Sequence, residues 1–428
     1  MPEHNNTRII NYLLFVLYLA FFASLVFAFR AVSSISVGLL LIAGLVKNRI
    51  EQKQFFNRNL TNPLVIFCGL LFLFQFVSLL YTNDMEQGWK NIRLKSALVV
   101  VPLSLCCCNF INETTRRKLL KWYCLILFVA CSYAMFYALK RYSATHNSSV
   151  LLYHPLVSIY SGHAVQFSIL VFLSLLHLFD TLTKKEIVLN KYFDLFLIAF
   201  FLVFLFLLSS KLVIAFFFAY FFYTMVKSFL NKSINTKFIV ISIIALAVFS
   251  LFIFFTKNRI SNRFEEIVQT DFNFIKREKF NQGDYFNGLQ FRLLQWEFVP
   301  AILNEKKAWL FGVSPGDAQS YLNQKYISKN MYTGTVARGD KGFIGYNTHD
   351  QFLESLLETG LVGSLLFLLI CWSLVKMIME RKNAELSFAT ILLLIYSFSE
   401  SVFETQYSLF IFLFFPLFFY LPKNKGAK

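Results

Sequence analysis

Hydrophobic residues in this chain fall in long, nearly unbroken runs. Twelve can be drawn, at about 9–28, 31–46, 63–81, 95–111, 122–140, 156–179, 192–209, 211–226, 238–256, 352–375, 386–403 and 405–421. Most have the length, about 17 to 25 residues, that carries an α-helix across a bilayer. A helix on the surface of a soluble protein keeps a polar face, and these runs have none. The pattern predicts an all-α polytopic membrane protein of about twelve transmembrane helices. Ten of the eleven connections are short. The exception, residues 257–351, is expected to be a large extracytoplasmic loop containing helices, and a loop that long without a function is uncommon. The expected organisation is therefore membrane helices one to nine in 1–256, the loop in 257–351, and helices ten to twelve in 352–428. The first run lacks a small-residue cleavage site and leads into further spans, which predicts a retained helix rather than a signal peptide.

Composition agrees: 57% of residues are hydrophobic and 15% charged, against about 25% charged in a soluble domain. The formal charge of +17 could suggest nucleic acid, but its distribution gives another cause. Lys and Arg crowd into alternate connections, 47–62, 112–121, 181–191, 227–237 and 376–385, and into the tail 422–428. The intervening short connections hold only Arg30, Lys90, Arg93, Lys95, Lys140, Arg141 and Lys211. This is the positive-inside pattern, with both termini cytoplasmic and no nucleic-acid partner required. The seven cysteines all lie within apolar runs, so they read as small buried side chains and argue for neither a disulfide framework nor a thiolate metal site.

Chemistry is suggested on the opposite side. In the loop, "FNGLQFRLLQWEFVPAILNEKKAWLFG" predicts a helix, with apolar residues at 291, 294, 298, 301 and 302 and a kink expected at Pro300. A glycine–proline turn, "GVSPGDAQ", follows, then a polar, tyrosine-bearing stretch up to Tyr346. At the start of the tenth run, "GYNTHDQFLESLLETGLVG", Thr348 and Gln351 have capping-box spacing. That places His349 in the first helical turn, where the helix dipole favours the neutral imidazole a general base requires. Arg292 lies in the loop helix, Lys211 in the apolar hairpin "LLSSKLVIAFF", and Glu400 and Glu404 one helical turn apart near the outer end of the eleventh run. Each also has a structural reading: a cap-region histidine facing water, a lysine snorkelling at the interface, glutamates paired with a loop base.

Three of these stretches in order resemble the O-antigen ligase and O-antigen polymerase superfamily. "NTHDQFLESLLETGLVG" is similar to its signature, a loop His beside Asn, a Leu/Glu-rich turn and a Gly-x-x-Gly run into a span. "FRLLQWEFVPAILNEKKAWLFGVSPGD" resembles its Arg–Trp motif, and "SSKLVIAFF" a third that usually reads Ser-Arg. Lys211 stands at that arginine; it can neutralise phosphate but lacks the planar bidentate fork. "HPLVSIY" (154–160) is similar to a His-Pro element that opens the sixth span in these proteins.

The resemblance implies transfer of a glycan from undecaprenyl diphosphate to an acceptor hydroxyl at the outer face of the bacterial plasma membrane. His349 would be the base, with Arg292 and Lys211 the diphosphate clamp. Asn347, Glu400, Glu404 and His154 would be further substrate contacts. No cofactor or metal is expected, because no Asp-x-Asp motif occurs and side-chain cations can serve the leaving group. The implied partners are an undecaprenyl-diphosphate-linked glycan donor, a lipid-anchored acceptor of the lipid A–core type, and membrane lipids. Among the two branches, polymerases commonly carry two large exported loops; here the next longest after 257–351 is 140–155, which points to a ligase. A lipid-linked oligosaccharide flippase would not need the long loop, and a transporter would more often show matched halves.

The charge pattern makes a topological prediction. Reporter fusions after Ile50, Thr115 and Glu380 should score cytoplasmic, and fusions at Ile275 and Asn330 exported. A cytoplasmic signal at Asn330 would invert the orientation.

Overall fold

The computed structural model describes residues 2–52, 58–160, 163–184, 190–230, 271–335 and 340–421. The described residues are helical, without strands: α1 (Pro2–Val26), α2 (Arg30–Gln52), α3 (Pro63–Val77), α4 (Met85–Lys95), α5 (Ala97–Cys106), α6 (Glu113–Thr145), α7 (Tyr153–Leu156), α8 (Ala164–Thr183), α9 (Lys191–Leu207), α10 (Lys211–Leu230), α11 (Gly288–Lys306), α12 (Ala318–Ser328), α13 (Gln351–Arg381), α14 (Ala384–Tyr396) and α15 (Gln406–Tyr420). Seven of them are long and apolar enough to cross a membrane: α1, α2, α3, α6, α8, α10 and α13. Both α14 and α15 are apolar but shorter. The chain is a multi-pass membrane protein.

Several boundaries differ from the hydropathy reading, each for a local reason. The expected span 95–111 is broken at Ser96, and α5 is only ten residues long, a rise of about 15 Å against a hydrocarbon core of about 30 Å. The expected span 156–179 starts later, at Ala164, where the His163 side chain caps α8 by accepting from Gln166 N. The expected span 386–403 stops at Tyr396, because residues 397–405 are drawn into side-chain contacts described below. The expected span 238–256 lies outside the described residues.

Two cores hold the molecule. The large one runs through the helix bundle, where Phe21, Phe22, Tyr123, Phe414 and Phe415 meet between α1, α6 and α15. The smaller one lies in the layer built by residues 271–350, where Phe280, Phe286, Phe291, Phe298 and Tyr326 surround Leu294. α11 starts with a capping box between Asn287 and Gln290 and continues through Pro300. Leu357 of α13 belongs to this smaller core, so the layer is seated on the bundle rather than tethered to it.

The seat is a break in α13. Gly360 leaves the helix with φ 63° and ψ −160°. The strand of loop at 309–314 fills the break: Val313 N and Ser314 N donate to the carbonyls of Leu357 and Glu358, at 2.8 and 3.0 Å, and Leu361 N donates to Trp309 O at 2.8 Å. Backbone polar groups released by a broken helix need new partners, above all near lipid. Gly312, φ 72°, faces Gly360 so closely that a Cβ on Gly360 would lie 2.5 Å from Gly312 N and from Leu310 O. The glycines of "LFGVSPG" and "LETGLVG" are thus two halves of one contact.

A test follows from that contact. Gly360→Ala meets backbone atoms that cannot yield and a left-handed φ, so it should lower the thermal midpoint markedly and reduce accumulation. Gly69→Ala, where a Cβ meets nothing within 4 Å, should be neutral or stabilise by about 0.5–1 kcal/mol. Equal midpoints for the two variants in a fluorimetric melt would show that the docking is dispensable.

Candidate active site

Five segments distant in sequence meet at one rim of the bundle. They are the start of α8, the α9–α10 turn, the start of α11, the loop before α13 and the stretch 397–405 that joins α14 to α15. Gln351 fastens the last two together. Its backbone N donates to Ser397 O at 2.8 Å, and its side-chain oxygen accepts from Phe403 N at 2.7 Å. The expected capping box is therefore absent. Asp350 caps α13 instead, accepting from Phe352 N and Leu353 N at 2.8 and 3.1 Å. Burial raises the Asp350 carboxyl above its ordinary pKa, opposed by those same amide bonds and by Arg292.

His349 accordingly sits one residue before the cap, not in the first turn. Its backbone is left-handed, φ 49°, and Asn347 supports that shape by accepting from His349 N at 3.1 Å. Asn347 is also tied into the loop by its backbone carbonyl, which accepts from Gln295 Nε2. His349 Nδ1 lies 3.1 Å from Glu400 Oε2. With the proton of the neutral ring on Nδ1, Nε2 is the nitrogen free to accept one.

Glu400 is the hub. Besides His349, it has Arg292 Nη2 at 3.6 Å and His163 Nε2 at 4.0 Å from Oε1. Burial alone would raise its pKa. The hydrogen bond and charge of His349, with the charges of His163 and Arg292, outweigh that and hold it below the ordinary value of 4.5. His163 moves the other way from a simple ion-paired histidine: burial, aided by His349, depresses its pKa in spite of Glu400. Arg292 is anchored by Nη2 to Ser399 O at 2.9 Å and by Nη1 to Gly288 O at 3.3 Å. Its Nε–H is buried with no hydrogen-bond partner among the described residues.

Arg292, Lys211 and Glu400 line one cavity of about 440 Å³, together with Ser209 and Ser210. Tyr153, Val165, Leu212 and Leu289 add apolar wall. Two cations and the amino end of α10, which begins at Lys211, are the kind of lining that suits an anion, and the flank is apolar.

The remaining expected residues do different work. Glu400 and Glu404 are not one helical turn apart, because 397–405 is not helical. Glu404 instead faces Lys95, whose ammonium lies 2.7 Å from Glu404 Oε1 and 2.5 Å from Glu358 Oε2. Glu354 completes this buried group, accepting from Thr348 N at 3.0 Å and Thr348 Oγ1 at 2.7 Å. The carboxylates of Glu354, Glu358 and Glu404 lie close enough together to share a metal ion, but here the Lys95 ammonium supplies the positive charge between two of them. This group braces the His349 loop against α4. His154 Nδ1 accepts from Ala164 N at 3.0 Å, so it holds the start of α8 beside the cavity. His163 and Lys95 were not expected. Lys95 opens one apolar run and His163 lies within another, where an ionisable residue is costly unless it has a partner, and that was the available signal.

The fold and site define a multi-pass membrane protein whose rim gathers two histidines, an arginine, a lysine and a glutamate around one cavity. Residues 196–368 match the family described as O-Antigen ligase. The match spans Lys211, Arg292 and His349, and supports the O-antigen ligase superfamily and a glycosyltransferase-like ligase or polymerase activity in the broad sense. The family implies lipid-linked glycans as substrates in general. No curated protein matches the chain.

The depressed pKa of Glu400 carries a sign. Its contribution to stability is full above 4.5 and is lost as pH falls through the lower folded value. Glu400→Gln should therefore melt below the parent at pH 7, and the gap should close on acidification below about pH 4.5. A gap that widens in acid would show that Glu400 is not held as the anion.

Proposed function

We propose that the protein is an O-antigen ligase-like enzyme that transfers a glycan from undecaprenyl diphosphate to a lipid-anchored acceptor sugar at the outer face of the plasma membrane. His349 Nε2 takes the proton of the acceptor hydroxyl as its oxygen attacks the anomeric carbon. The bond from that carbon to the diphosphate breaks, and the diphosphate leaves with the electron pair. Arg292 and Lys211 receive the leaving charge, and stabilisation of developing charge by prearranged donors is commonly the largest catalytic effect. Glu400 orients the imidazole and stabilises the imidazolium, by the logic of an acid–histidine pair. The observation that carries the reading is the buried, unpartnered Nε–H of Arg292 in a cavity it shares with Lys211, since a buried donor of this kind calls for an acceptor oxygen.

Proteoliposomes supplied with undecaprenyl-diphosphate glycan and envelope glycolipid test the reading by release of undecaprenyl diphosphate. His349→Ala and Arg292→Ala should lower release by about 100-fold or more while accumulating normally, and Arg292→Lys should recover little because an ammonium cannot replace the fork. Near-parental release by His349→Ala removes the base from the scheme. Movement of intact carrier without release would mark a transporter or flippase. In a deletion strain, a missing ligase leaves long polymer on the carrier; single repeats on the acceptor would assign the polymerase branch instead.

A further inference from the structure

Tyr346 has no part in the donor chamber, yet its ring is 47% exposed directly before the base. Its centroid lies 5.8 Å from that of His349. Phe291 meets it edge-on at 5.5 Å, and Phe343 lies 6.3 Å away. The main chain that carries the ring is tied down. Tyr346 O accepts from Tyr326 OH at 2.9 Å and from Gln319 Nε2 at 3.0 Å. Asn323 Oδ1 accepts from Gly345 N at 2.9 Å. A half-exposed aromatic residue on a fixed backbone loses little entropy on meeting a ligand.

The donor chamber is lined by Arg292, Lys211 and Glu400 but by neither His349 nor Tyr346. His349 turns Nδ1 to Glu400, so its free nitrogen belongs to the other side of the ring. We infer that the exposed surface of Tyr346, whose main chain Gln319 and Asn323 hold in place, is the acceptor subsite, and that it takes a pyranose ring. The C–H face of a pyranose is apolar and weakly positive, and it suits the negative face of an aromatic ring. Stacking there leaves a ring hydroxyl next to His349, on the side of the imidazole away from Glu400. The inference rests on the transfer reading above but concerns binding of the acceptor alone.

The experiment uses the full chain in proteoliposomes and varies the two lipid substrates separately. One arm takes lipid A–core glycolipid as acceptor, the other a second undecaprenyl-diphosphate-linked glycan; the arm that is turned over identifies which lipid bears the sugar. In that arm Tyr346→Leu, which keeps apolar bulk without the ring face, should raise the acceptor KM at least tenfold and leave the donor KM within twofold. Tyr346→Trp should restore an acceptor KM near the parent's, which also answers for a leucine variant that folds poorly. An unchanged acceptor KM in Tyr346→Leu, or a donor KM that rises with it, overturns the subsite. An acceptor effect in Tyr346→Leu together with full kcat in His349→Ala overturns the base and spares the subsite; the reverse pair of results does the opposite.

Discussion

A carboxylate at the edge of an apolar bundle must be compensated, and the arrangement of this molecule's rim follows from compensating Glu400. Its neighbours come from three separate places: His163 from the start of α8, Arg292 from α11 and His349 from the loop before α13. Each is a cation or a potential cation, and together they keep Glu400 ionised. Burying a lone charge is expensive, whereas a charge with several partners is tolerated and fixes their geometry. Meeting that requirement brings a histidine with one free nitrogen beside an arginine with one unused donor. The site is thus a consequence of charge neutralisation as much as of chemistry.

The same rule operates next to it. Lys95 is fully buried because Glu358 and Glu404 close around it, and Glu354 carries the connection on to Thr348. The Gly312–Gly360 contact adds a backbone lock between the 271–350 layer and α13. Charge and backbone restraints therefore act on the short loop 345–350 from two directions. If His349 is the proposed base, it must meet both a donor and an acceptor closely, and such support serves that need. The left-handed backbone at His349 persists because Asn347, Asp350 and Gln351 each hold a neighbouring group.

Much of this was legible along the chain. Runs of apolar residues announced a membrane protein, and the helices α1, α2, α3, α6, α8, α10 and α13 fall where the runs lie. The loop helix was readable from the spacing of Phe291, Leu294, Phe298 and Ile302, which are buried together. Lys211, His349 and Glu400 stood out because ionisable side chains at the ends of apolar runs are costly without a use, and Arg292 through the Arg–Trp motif of the loop helix. The misreadings have one source. Hydropathy cannot see a residue's partner, so the runs 95–111 and 386–403 were extended through Lys95 and through Glu400, where tertiary ion pairs end the helices.

The sequence by itself determined the class, the helical periodicity and the residue types that could do the chemistry, because apolar length and local spacing are properties of neighbouring residues. Only the tertiary structure decided which charges meet. Glu400 and Glu404, four residues apart, serve different groups since one faces Arg292 and the other Lys95. His163 joins the site while His154, in the more conspicuous motif, holds a helix start. Electrostatic partnership falls off over a few ångströms, and contacts at that range between residues as far apart as Lys95 and Glu404 are set by how the helices pack, not by their order along the chain.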